Sequence, residues 1–386
     1  MKICTLNKIA ACGTDRLAGY TITDTVEGAA GVMVRSAAMH DMELPDTLLG
    51  IARAGAGVNN IPIDKCSEQG IVVFNTPGAN ANAVKELVLA GLFLASRKVV
   101  DGIAWAGTLK GEGDAVGKLV EKGKSAYAGP EILGKKLGVI GLGAIGVLVA
   151  NAAVALGMDV YGYDPYLSVD AAWKLSRHIH HANTLDEIYA ECDYITVHVP
   201  LVADTKGMLN EAAFAAMKDG VRILNFSRAG LVDSDAMLAA LSAGKVATYV
   251  VDFPTDEMLG VENVVAIPHL GASTPESEDN CAVMAANQLK AYLEDGNIIN
   301  SVNFPAIDMG ICHTAGRIAI LHKNIPNSLG QFTAAVASEN INIASLQNAS
   351  KGEYAYTMLD LDTPTSPEVV EDLKRINGVI RVRVIK

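Results

Sequence analysis

The sequence has no long uncharged apolar run and few cysteines, and each absence excludes a class of protein. No stretch of about 18 apolar residues is flanked as a membrane-spanning helix would be, and the first residues, MKICTLNKIAACGTDRL, carry charges too early for a signal peptide. The six cysteines are far apart and form no CxxC pair, which argues against a disulfide framework and a structural zinc site. We therefore expect a cytoplasmic protein with reduced thiols and no bound metal.

Positive charge is also scarce, since 31 lysines and arginines stand against 43 acidic residues and the formal net charge is -12. No Lys/Arg-rich run is present, so neither nucleic acid nor a membrane surface is an expected partner. An anionic small-molecule substrate would have to be bound by a local group of cations. The length of 386 residues is sufficient for two or three domains.

Short β-branched runs alternate with helical patterns over most of the chain, which is typical of an α/β fold. A helix is predicted over residues 81–98, and residues 102–129, rich in Gly and Lys, predict a linker or surface segment. After Lys135, six strand-like runs predict a parallel sheet: KLGVIGLG, MDVYGYD, CDYITVHVP, GVRILNFS, KVATYVVDF and NVVAIPH. A helix follows over residues 278–293, and from Arg317 the pattern βαββαβ predicts a small α+β domain.

A glycine-rich turn in the middle of the chain joins one of these strands to the following helix. In LGVIGLGAIG, Gly141, Gly143 and Gly146 follow a strand-like run and precede an alanine-rich helical pattern, as in a dinucleotide-binding fingerprint. Asp164, 18 residues after Gly146, ends the next strand, where a carboxylate accepts hydrogen bonds from a ribose diol and repels a 2'-phosphate. The unit predicts NAD, rather than NADP, as the cofactor. The alternative is a structural glycine turn with an Asp that caps it.

Six further motifs stand in a characteristic order along the chain. They are RAGAGVNN (53–60), NTPGANANAVKE (75–86), HVPL (198–201), NFSRAGLVD (225–233), VDFPTDE (251–257) and PHLGAST (268–274). In this order the chain resembles the D-isomer-specific 2-hydroxyacid dehydrogenases over nearly all of its first 305 residues. VRSA at 34–37 and the C-terminal segment are similar to the branch of that family that oxidises 3-phosphoglycerate and has a single ACT-type regulatory domain.

The resemblance implies a Rossmann domain that binds NAD and is inserted into a flavodoxin-like α/β substrate domain, followed by an α+β ACT domain. The substrate domain would comprise residues 1–96 and 286–305, the NAD-binding domain 97–285 and the ACT domain 314–386. The insertion explains why the glycine turn lies in the middle of the chain, with hinges expected near Arg97 and Leu289. The family also implies a homo-oligomer, a dimer or tetramer.

The same resemblance implies NAD-dependent oxidation of 3-phosphoglycerate to 3-phosphohydroxypyruvate, the first step of the phosphorylated pathway of serine biosynthesis. His269, in PHLGAST, would take the hydroxyl proton, because a histidine of near-neutral pKa can take and return one. Arg228, in NFSRAG, would bind the substrate carboxylate through its forked donors. Asp256 and Glu257 compete for the role of acid partner to His269, and an alignment without a gap on the preceding strand favours Glu257.

The motifs also imply positions for the two ligands. Contacts to NAD are expected from Gly141, Gly143, Ala144, Ile145, Gly146, Asp164, Val199, Pro200, Phe226, Ser227, Asp252, Gly271 and Ala272. Contacts to the substrate are expected from Arg35, Arg53, Gly55, Ala56, Gly57, Val58 and Asn75. In so acidic a chain, Arg35 and Arg53 together are the expected site of the substrate phosphate, although each alone is also consistent with a surface ion pair.

The segment HKNIPNSLG, followed by NINIAS, resembles the ligand-binding edge of ACT domains. By that resemblance His322, Asn324 and Asn342 match positions that contact L-serine, and Asn327 stands where the loop of the family usually has glycine. Because Asn tolerates a positive φ, the turn can be kept. The alternative is a structural module for dimerisation.

Two other functions stay open from the sequence. One is a dehydrogenase of another D-2-hydroxy acid, which depends on whether Arg35 and Arg53 bind a phosphate. The other is an NAD-sensing binding protein or corepressor, which the joint presence of Arg228, an acid and His269 disfavours.

Overall fold

The computed structural model describes every residue from Met1 to Lys386. The chain divides into a unit that combines Met1–Asn80 with Pro275–Lys386 and a unit formed by Ala81–Thr274, here called the terminal unit and the central unit. None of the helices has both the length and the apolar character that a membrane crossing requires.

The strands, in chain order, are β1 (Lys2–Thr5), β2 (Thr21–Thr23), β3 (Gly31–Val34), β4 (Gly50–Arg53), β5 (Val72–Phe74), β6 (Lys136–Ile140), β7 (Asp159–Tyr163), β8 (His180–His181), β9 (Tyr194–Val197), β10 (Val221–Asn225), β11 (Val246–Val251), β12 (Val264–Ala266), β13 (Gly316–Lys323), β14 (Ile343–Lys351), β15 (Tyr354–Leu361) and β16 (Val379–Val384).

The α-helices are α1 (Ala11–Thr14), α2 (Ile63–Glu68), α3 (Ala81–Ser96), α4 (Val99–Thr108), α5 (Val116–Gly123), α6 (Ala144–Ala155), α7 (Val169–Ala172), α8 (Leu185–Glu191), α9 (Glu211–Ala216), α10 (Ser234–Ser242), α11 (Pro275–Asp295), α12 (Ser328–Ser338) and α13 (Pro367–Arg375).

The first five strands of the terminal unit form a parallel sheet in the order β2-β1-β3-β4-β5, which is the flavodoxin-like order. Helix α11 packs closely on this sheet because two of its strands begin with glycine. A Cβ at Gly31 would lie 2.9 Å from Leu289 of α11, and one at Gly50 would lie 3.2 Å from the same side chain. Side chains at these two positions would push the helix away from the sheet.

The C-terminal segment has the predicted element order βαββαβ, and its antiparallel sheet has the order β14-β15-β13-β16. Alternate residues of β13 face opposite sides, as in any strand buried on both faces. Ile318 and Ile320 join the core beneath α12 and α13. Ala319 and Leu321 join the core that contains Leu289 of α11, so the C-terminal sheet shares a hydrophobic core with the first sheet.

The central unit contains a seven-stranded parallel sheet in the order β12-β11-β10-β9-β6-β7-β8. The order of the strands reverses between β6 and β9, and open α/β sheets bind ligands beyond the carboxyl ends of the strands at such a point. The glycine turn follows β6, and HVPL follows β9. The predicted Rossmann-type α/β fold is confirmed.

Two features of the central unit differ from the sequence-based expectation. Residues 102–129 do not form a linker, because most of them belong to helices α4 and α5. The ring of Trp105 lies 5.3 Å from that of Tyr127, and Gly123 makes room for the indole, since a Cβ there would lie 2.3 Å from it. The edge strand β8 was also not predicted, since two histidines paired with β7 give no periodic pattern.

Candidate functional site

The glycine turn after β6 has the geometry that a dinucleotide requires. Gly141 has a φ of +91°, and a Cβ there would lie 2.7 Å from the carbonyl oxygen of His198. A Cβ at Gly146 would lie 1.9 Å from the carbonyl oxygen of Gly141. At Gly143, the N-cap of α6, no atom beyond the adjoining residues lies within 4 Å of a Cβ position, and no side chain caps the helix. The first N–H groups of α6 therefore adjoin open space in which they can bind an anion such as pyrophosphate.

Asp164 follows β7 and ties this strand to the glycine turn. Its Oδ2 accepts a hydrogen bond from the backbone N–H of Leu142, and its Oδ1 accepts one from the N–H of Tyr166, both at 2.8 Å. Each carboxylate oxygen keeps a second lone pair that can accept a ribose hydroxyl. The residues around the turn therefore fit NAD, and the charge of Asp164 opposes a 2'-phosphate.

His198, which follows β9, is a half-buried histidine that the sequence did not single out. Its Nε2 is hydrogen-bonded to Oγ1 of Thr196 at 3.0 Å, and its buried Nδ1 has no partner within the protein. Burial lowers the pKa of His198 to about 4, so the imidazole is neutral near pH 7. The signal available in the sequence was only its place beside a strand end at the switch point.

The other residues expected to contact NAD lie in different environments. Val199 is beside the glycine turn, with its Cγ1 2.9 Å from the position of a Cβ on Gly141. Ser227 follows β10 and donates its hydroxyl to the carbonyl oxygen of Val197 at 2.8 Å, which braces two neighbouring strand ends. The ring of Phe226 is buried in the core that contains α3, so this side chain contributes to packing.

Phe253 brings Arg228 and His269 into one exposed cluster. The ring centroids of Phe253 and His269 are 4.3 Å apart, and Cζ of Arg228 is 5.3 Å from the centroid of Phe253. The three residues follow β11, β12 and β10, and the carboxyl ends of parallel strands lie at one edge of the sheet. Phe253 belongs to the motif VDFPTDE, but the sequence gives no signal of its position next to both functional candidates.

Asp252 holds the loop that carries His269. Its side chain is buried, and its two oxygens accept hydrogen bonds from the N–H groups of Leu270 at 2.8 Å and Gly271 at 3.0 Å. His269 has a φ of +50°, which is uncommon for a residue other than glycine, and its N–H donates to the carbonyl oxygen of Ile267. Burial raises the pKa of Asp252, although the two N–H groups and the charge of His269 oppose the rise.

Glu257 is exposed in a short 3₁₀ helix, Asp256–Met258. Its own backbone N–H and the hydroxyl of Ser234 hold the pKa of its carboxyl below the usual value. In this structure the charge of His269 acts on the carboxylate of Asp252 and lowers the pKa of that carboxyl. The pairing of Glu257 with the imidazole therefore stays a prediction.

In the terminal unit, Arg35 follows β3, Arg53 is the last residue of the neighbouring strand β4, and the two residues contact each other. Nε of Arg53 donates to the carbonyl oxygen of Arg35 at 3.1 Å. Gly55 makes room for the second guanidinium, since a Cβ there would lie 2.0 Å from Nη1 of Arg53. Asn75 donates its side-chain amide to the carbonyl oxygen of Ala56 at 2.7 Å. The structure thus gathers most of the expected substrate residues at one edge of the first sheet, and the same loop continues through Gly57 and Val58.

Arg35 forms an ion pair with Glu278 that the sequence did not predict. Nη2 of Arg35 lies 2.6 Å from Oε1 of Glu278, and their side chains are 45% and 46% exposed. Glu278 lies in the first turn of α11, where the helix dipole stabilises a carboxylate. Oδ1 of Asn7 accepts hydrogen bonds from the N–H groups of Arg35, Ser36 and Ala37, each at 3.0 Å. The cation at the end of β3, the guanidinium of Arg35, is therefore already paired with the carboxylate of Glu278.

His322, an expected serine contact, lies inside the C-terminal sheet. It is 3% exposed, its Nδ1 is 2.8 Å from the carbonyl oxygen of Lys323, and its Nε2 is 2.9 Å from Oγ1 of Thr357. Burial lowers the pKa of His322, opposed by its hydrogen bonds. Both ring nitrogens are engaged by the protein itself.

The other two expected serine contacts are exposed. Asn324 donates its side-chain amide to the carbonyl oxygen of Gly352 at 3.2 Å, and Asn342 donates to Oδ2 of Asp362 at 2.5 Å. Asn327 has a φ of +64°, so it adopts the conformation for which the family's loop usually has glycine.

The chain is similar to a family of known enzymes and to individual relatives. Residues 94–271 match the family described as D-isomer specific 2-hydroxyacid dehydrogenase, NAD binding domain. The D-3-phosphoglycerate dehydrogenase of Haemophilus influenzae is 31% identical over 358 residues, which cover 89% of this chain and 83% of that protein. The putative D-3-phosphoglycerate dehydrogenase of Schizosaccharomyces pombe is 30% identical, and the match covers 94% of this chain and 80% of that protein. The rat D-3-phosphoglycerate dehydrogenase is 35% identical, but the matched region is 51% of its length, so this chain spans about half of it.

Solved structures give the same fold. The NAD+-bound 3-phosphoglycerate dehydrogenase of Entamoeba histolytica is 26% identical, with a TM-score of 0.61, and the match covers 78% of this chain and 98% of that one. The apo form of Rhodotorula graminis D-mandelate dehydrogenase is 23% identical, with a TM-score of 0.67. The match covers 79% of this chain and 98% of that one. The second likeness bears on the fold alone.

Proposed function

Because the chain belongs to the D-isomer-specific 2-hydroxyacid dehydrogenase family, we propose that it is an NAD-dependent enzyme that oxidises 3-phosphoglycerate to 3-phosphohydroxypyruvate. This substrate is the one named in relatives that cover most of the chain. The observation that carries the proposal is the cluster of Arg228 and His269 on Phe253, in the same unit as the glycine turn. A protein that only senses NAD needs the turn but has no use for a proton acceptor beside a guanidinium.

The cofactor would be held by the glycine turn, by the first N–H groups of α6 and by Asp164. When bound, NAD accepts the hydride that leaves C2 of the hydroxy acid. The open space at Gly143 and the free lone pairs of Asp164 support this assignment.

Side chains of the protein accept the hydroxyl proton and bind the substrate carboxylate. His269 takes the proton of the C2 hydroxyl, because a neutral imidazole is a competent base near pH 7. Arg228 binds the substrate carboxylate through its forked N–H groups. Asp252 keeps the His269 loop in its left-handed conformation, and Glu257 is the acid proposed to stabilise the imidazolium, with Asp256 as the alternative.

Arg35 and Arg53 are proposed to bind the substrate phosphate. Their contact through the carbonyl oxygen of Arg35 supports this role, because two guanidiniums at one sheet edge in an acidic chain form a local anion site. A substrate without a phosphate would make no use of these two guanidiniums.

Domain roles, regulation and assembly complete the proposal. We assign substrate binding to residues 1–96 and 286–305, NAD binding to 97–285, and an ACT domain to 314–386, supported by its βαββαβ order. L-serine would bind at its exposed residues Asn324 and Asn342, and ACT pairing would make the enzyme a homo-oligomer. Six free cysteines support a reducing, cytoplasmic location.

The test is NAD reduction by the purified protein with 3-phosphoglycerate, D-glycerate and D-lactate, with and without L-serine. We expect kcat/KM for 3-phosphoglycerate to exceed that for D-glycerate by about 100-fold, because charged hydrogen bonds contribute ~1.5–3 kcal/mol each. Inhibition by serine should disappear in Asn324→Ala. Equal turnover of D-lactate would point to another D-2-hydroxy acid, and NAD binding without turnover of any of the three would point to a sensor.

A further inference from the structure

The proposed phosphate site contains a carboxylate where a phosphate-binding site would be expected to hold only cations. We propose that Glu278 is a specificity-determining residue that competes with the substrate phosphate for Arg35 and so weakens the binding of phosphate dianions. The inference rests on the proposed function, since it assigns a role to Glu278 within the substrate site given above.

The geometry of the ion pair puts Glu278 in direct competition with a phosphate. The 2.6 Å contact between Oε1 of Glu278 and Nη2 of Arg35 engages a donor that an incoming phosphate oxygen would use. Arg53 is joined to the same site by its bond to the carbonyl oxygen of Arg35. The site therefore combines two cations with one anion rather than two cations alone.

The backbone at the end of β3 offers no substitute donor. The N–H groups of Arg35, Ser36 and Ala37 all donate to Oδ1 of Asn7, so a phosphate cannot replace the lost guanidinium donor with these amides. An anion that binds at this end of the strand must either displace the Glu278 carboxylate or bind beside it.

The helix that carries Glu278 is held near its middle and at its C-terminus. Near its middle, Leu289 packs over Gly31 and Gly50 of the sheet. At its C-terminus, the guanidinium of Arg317 donates to the carbonyl oxygen of Asp295 at 3.0 Å. The helix dipole also stabilises the charged carboxylate in the first turn. The half-exposed Glu278 side chain can move aside while its helix stays in place, so its charge remains near the bound phosphate.

Partial exposure sets the size of the effect. With side chains 45% and 46% exposed, the pair is screened by water and salt, so its contribution is modest. Removal of one negative charge near a dianion should strengthen binding about fivefold at low ionic strength, and less at high salt.

The experiment compares Glu278→Gln with Glu276→Gln in the full-length protein. Glu278→Gln keeps the shape and a hydrogen-bond acceptor for Arg35 but removes the charge. Glu276→Gln removes a charge from the same helical turn, at an exposed position, and is the matched control. The measurements are the KM for 3-phosphoglycerate, the KM for D-glycerate, and the dissociation constant of inorganic phosphate by calorimetry, each at low and high salt.

We expect Glu278→Gln to lower the KM for 3-phosphoglycerate and the dissociation constant of phosphate about fivefold at low salt, without a matching change in the KM for D-glycerate. Glu276→Gln should stay within about twofold of the parent protein. The inference is overturned if the KM for 3-phosphoglycerate or the dissociation constant of phosphate rises in Glu278→Gln. It is also overturned if either value is the same in Glu278→Gln and Glu276→Gln. If the parent protein does not oxidise 3-phosphoglycerate, the proposed function fails, while the phosphate titration still decides the role of Glu278.

Discussion

His269 and His322 were both chosen from the sequence as ligand contacts, and they lie in opposite environments. His269 is exposed on a left-handed loop, beside an aromatic ring and an arginine. His322 is 3% exposed, and both of its ring nitrogens are hydrogen-bonded within the C-terminal sheet. An imidazole whose ring nitrogens make no hydrogen bond within the protein is available for chemistry, whereas one with both nitrogens hydrogen-bonded contributes to stability.

The same contrast holds for the arginines. Arg228 is exposed at the edge of the central sheet, and its charge has no carboxylate partner among the ion pairs. Arg317 is 0% exposed and donates to both oxygens of Asp360, to the carbonyl oxygen of Asp295 at the end of α11 and to that of Gly310. In the C-terminal sheet, the polar side chains of His322 and Arg317 are hydrogen-bonded to neighbouring elements. At the edge of the central sheet, those of His269 and Arg228 are exposed.

Replacing the two histidines by asparagine should separate these roles most clearly. Asn tolerates a positive φ, so His269→Asn keeps the loop while removing the base. We expect kcat/KM to fall ~10²–10⁴-fold with little change in the free energy of unfolding. His322→Asn should instead lower the free energy of unfolding by ~1–3 kcal/mol, because it breaks buried hydrogen bonds. Steady-state kinetics and urea denaturation of both variants provide the measurements.

The comparison of the histidines would fail if His269→Asn lost stability while its turnover stayed high. His269→Ala serves as the second variant, since alanine removes the base and also strains the left-handed backbone. A larger loss of stability in His269→Ala than in His269→Asn would locate the strain at this φ.

Breaking the buried ion pair of the C-terminal sheet should have the next largest effect. Asp360→Asn leaves the guanidinium of Arg317 without its charge partner in the protein interior, which should cost ~3–5 kcal/mol of unfolding free energy. Glu371→Gln breaks the exposed pair of Lys374 and Glu371 and should cost less than ~1 kcal/mol. Urea denaturation followed by circular dichroism compares the two. Equal losses would mean that burial does not distinguish the pairs.

The fold of the central unit was predictable because its signals are local. At Gly141 and Gly146 a Cβ would approach backbone too closely, and Gly141 also has a positive φ, so glycine is required at both positions. Asp164 was predictable for the same reason, since the end of the strand after the turn has a fixed relation to the glycines. The two-residue strand β8 was not predictable, because it exists only through its pairing with β7.

The burial and the ion pairing of the site residues depend on contacts between segments that are distant in the sequence. The sequence contains no local signal for such contacts. Glu278 is far from Arg35 along the chain, yet the two form an ion pair. His322 is buried because β15 and helix α12 cover β13, and its motif is the same whether the ring is covered or open. The motifs thus identified residue types and strand ends, while burial and pairing required the structure.

His198 combines the two environments, because it lies at the ligand-binding edge of the central sheet and yet its ring nitrogen Nδ1 is buried. Its pKa is lowered to about 4 in the folded state, against about 6.5 in an unfolded chain, so the unfolded chain binds more protons between these values. The contribution of His198 to the free energy of unfolding is therefore fully present above about pH 6.5. It should fall by about 3 kcal/mol as the pH falls to 4. In His198→Gln this part of the pH dependence should disappear.

Tryptophan fluorescence is the appropriate probe for this prediction, because Trp105 and Trp173 both lie in the central unit. His178→Gln, which changes an exposed histidine of the same unit, is the matched control and should keep the pH dependence of the parent protein. If His198→Gln and His178→Gln lose stability equally between pH 6.5 and 4, His198 is not held neutral by burial. Its unpaired Nδ1 would then be reached by water, and the edge of the central sheet would be open down to the end of β9.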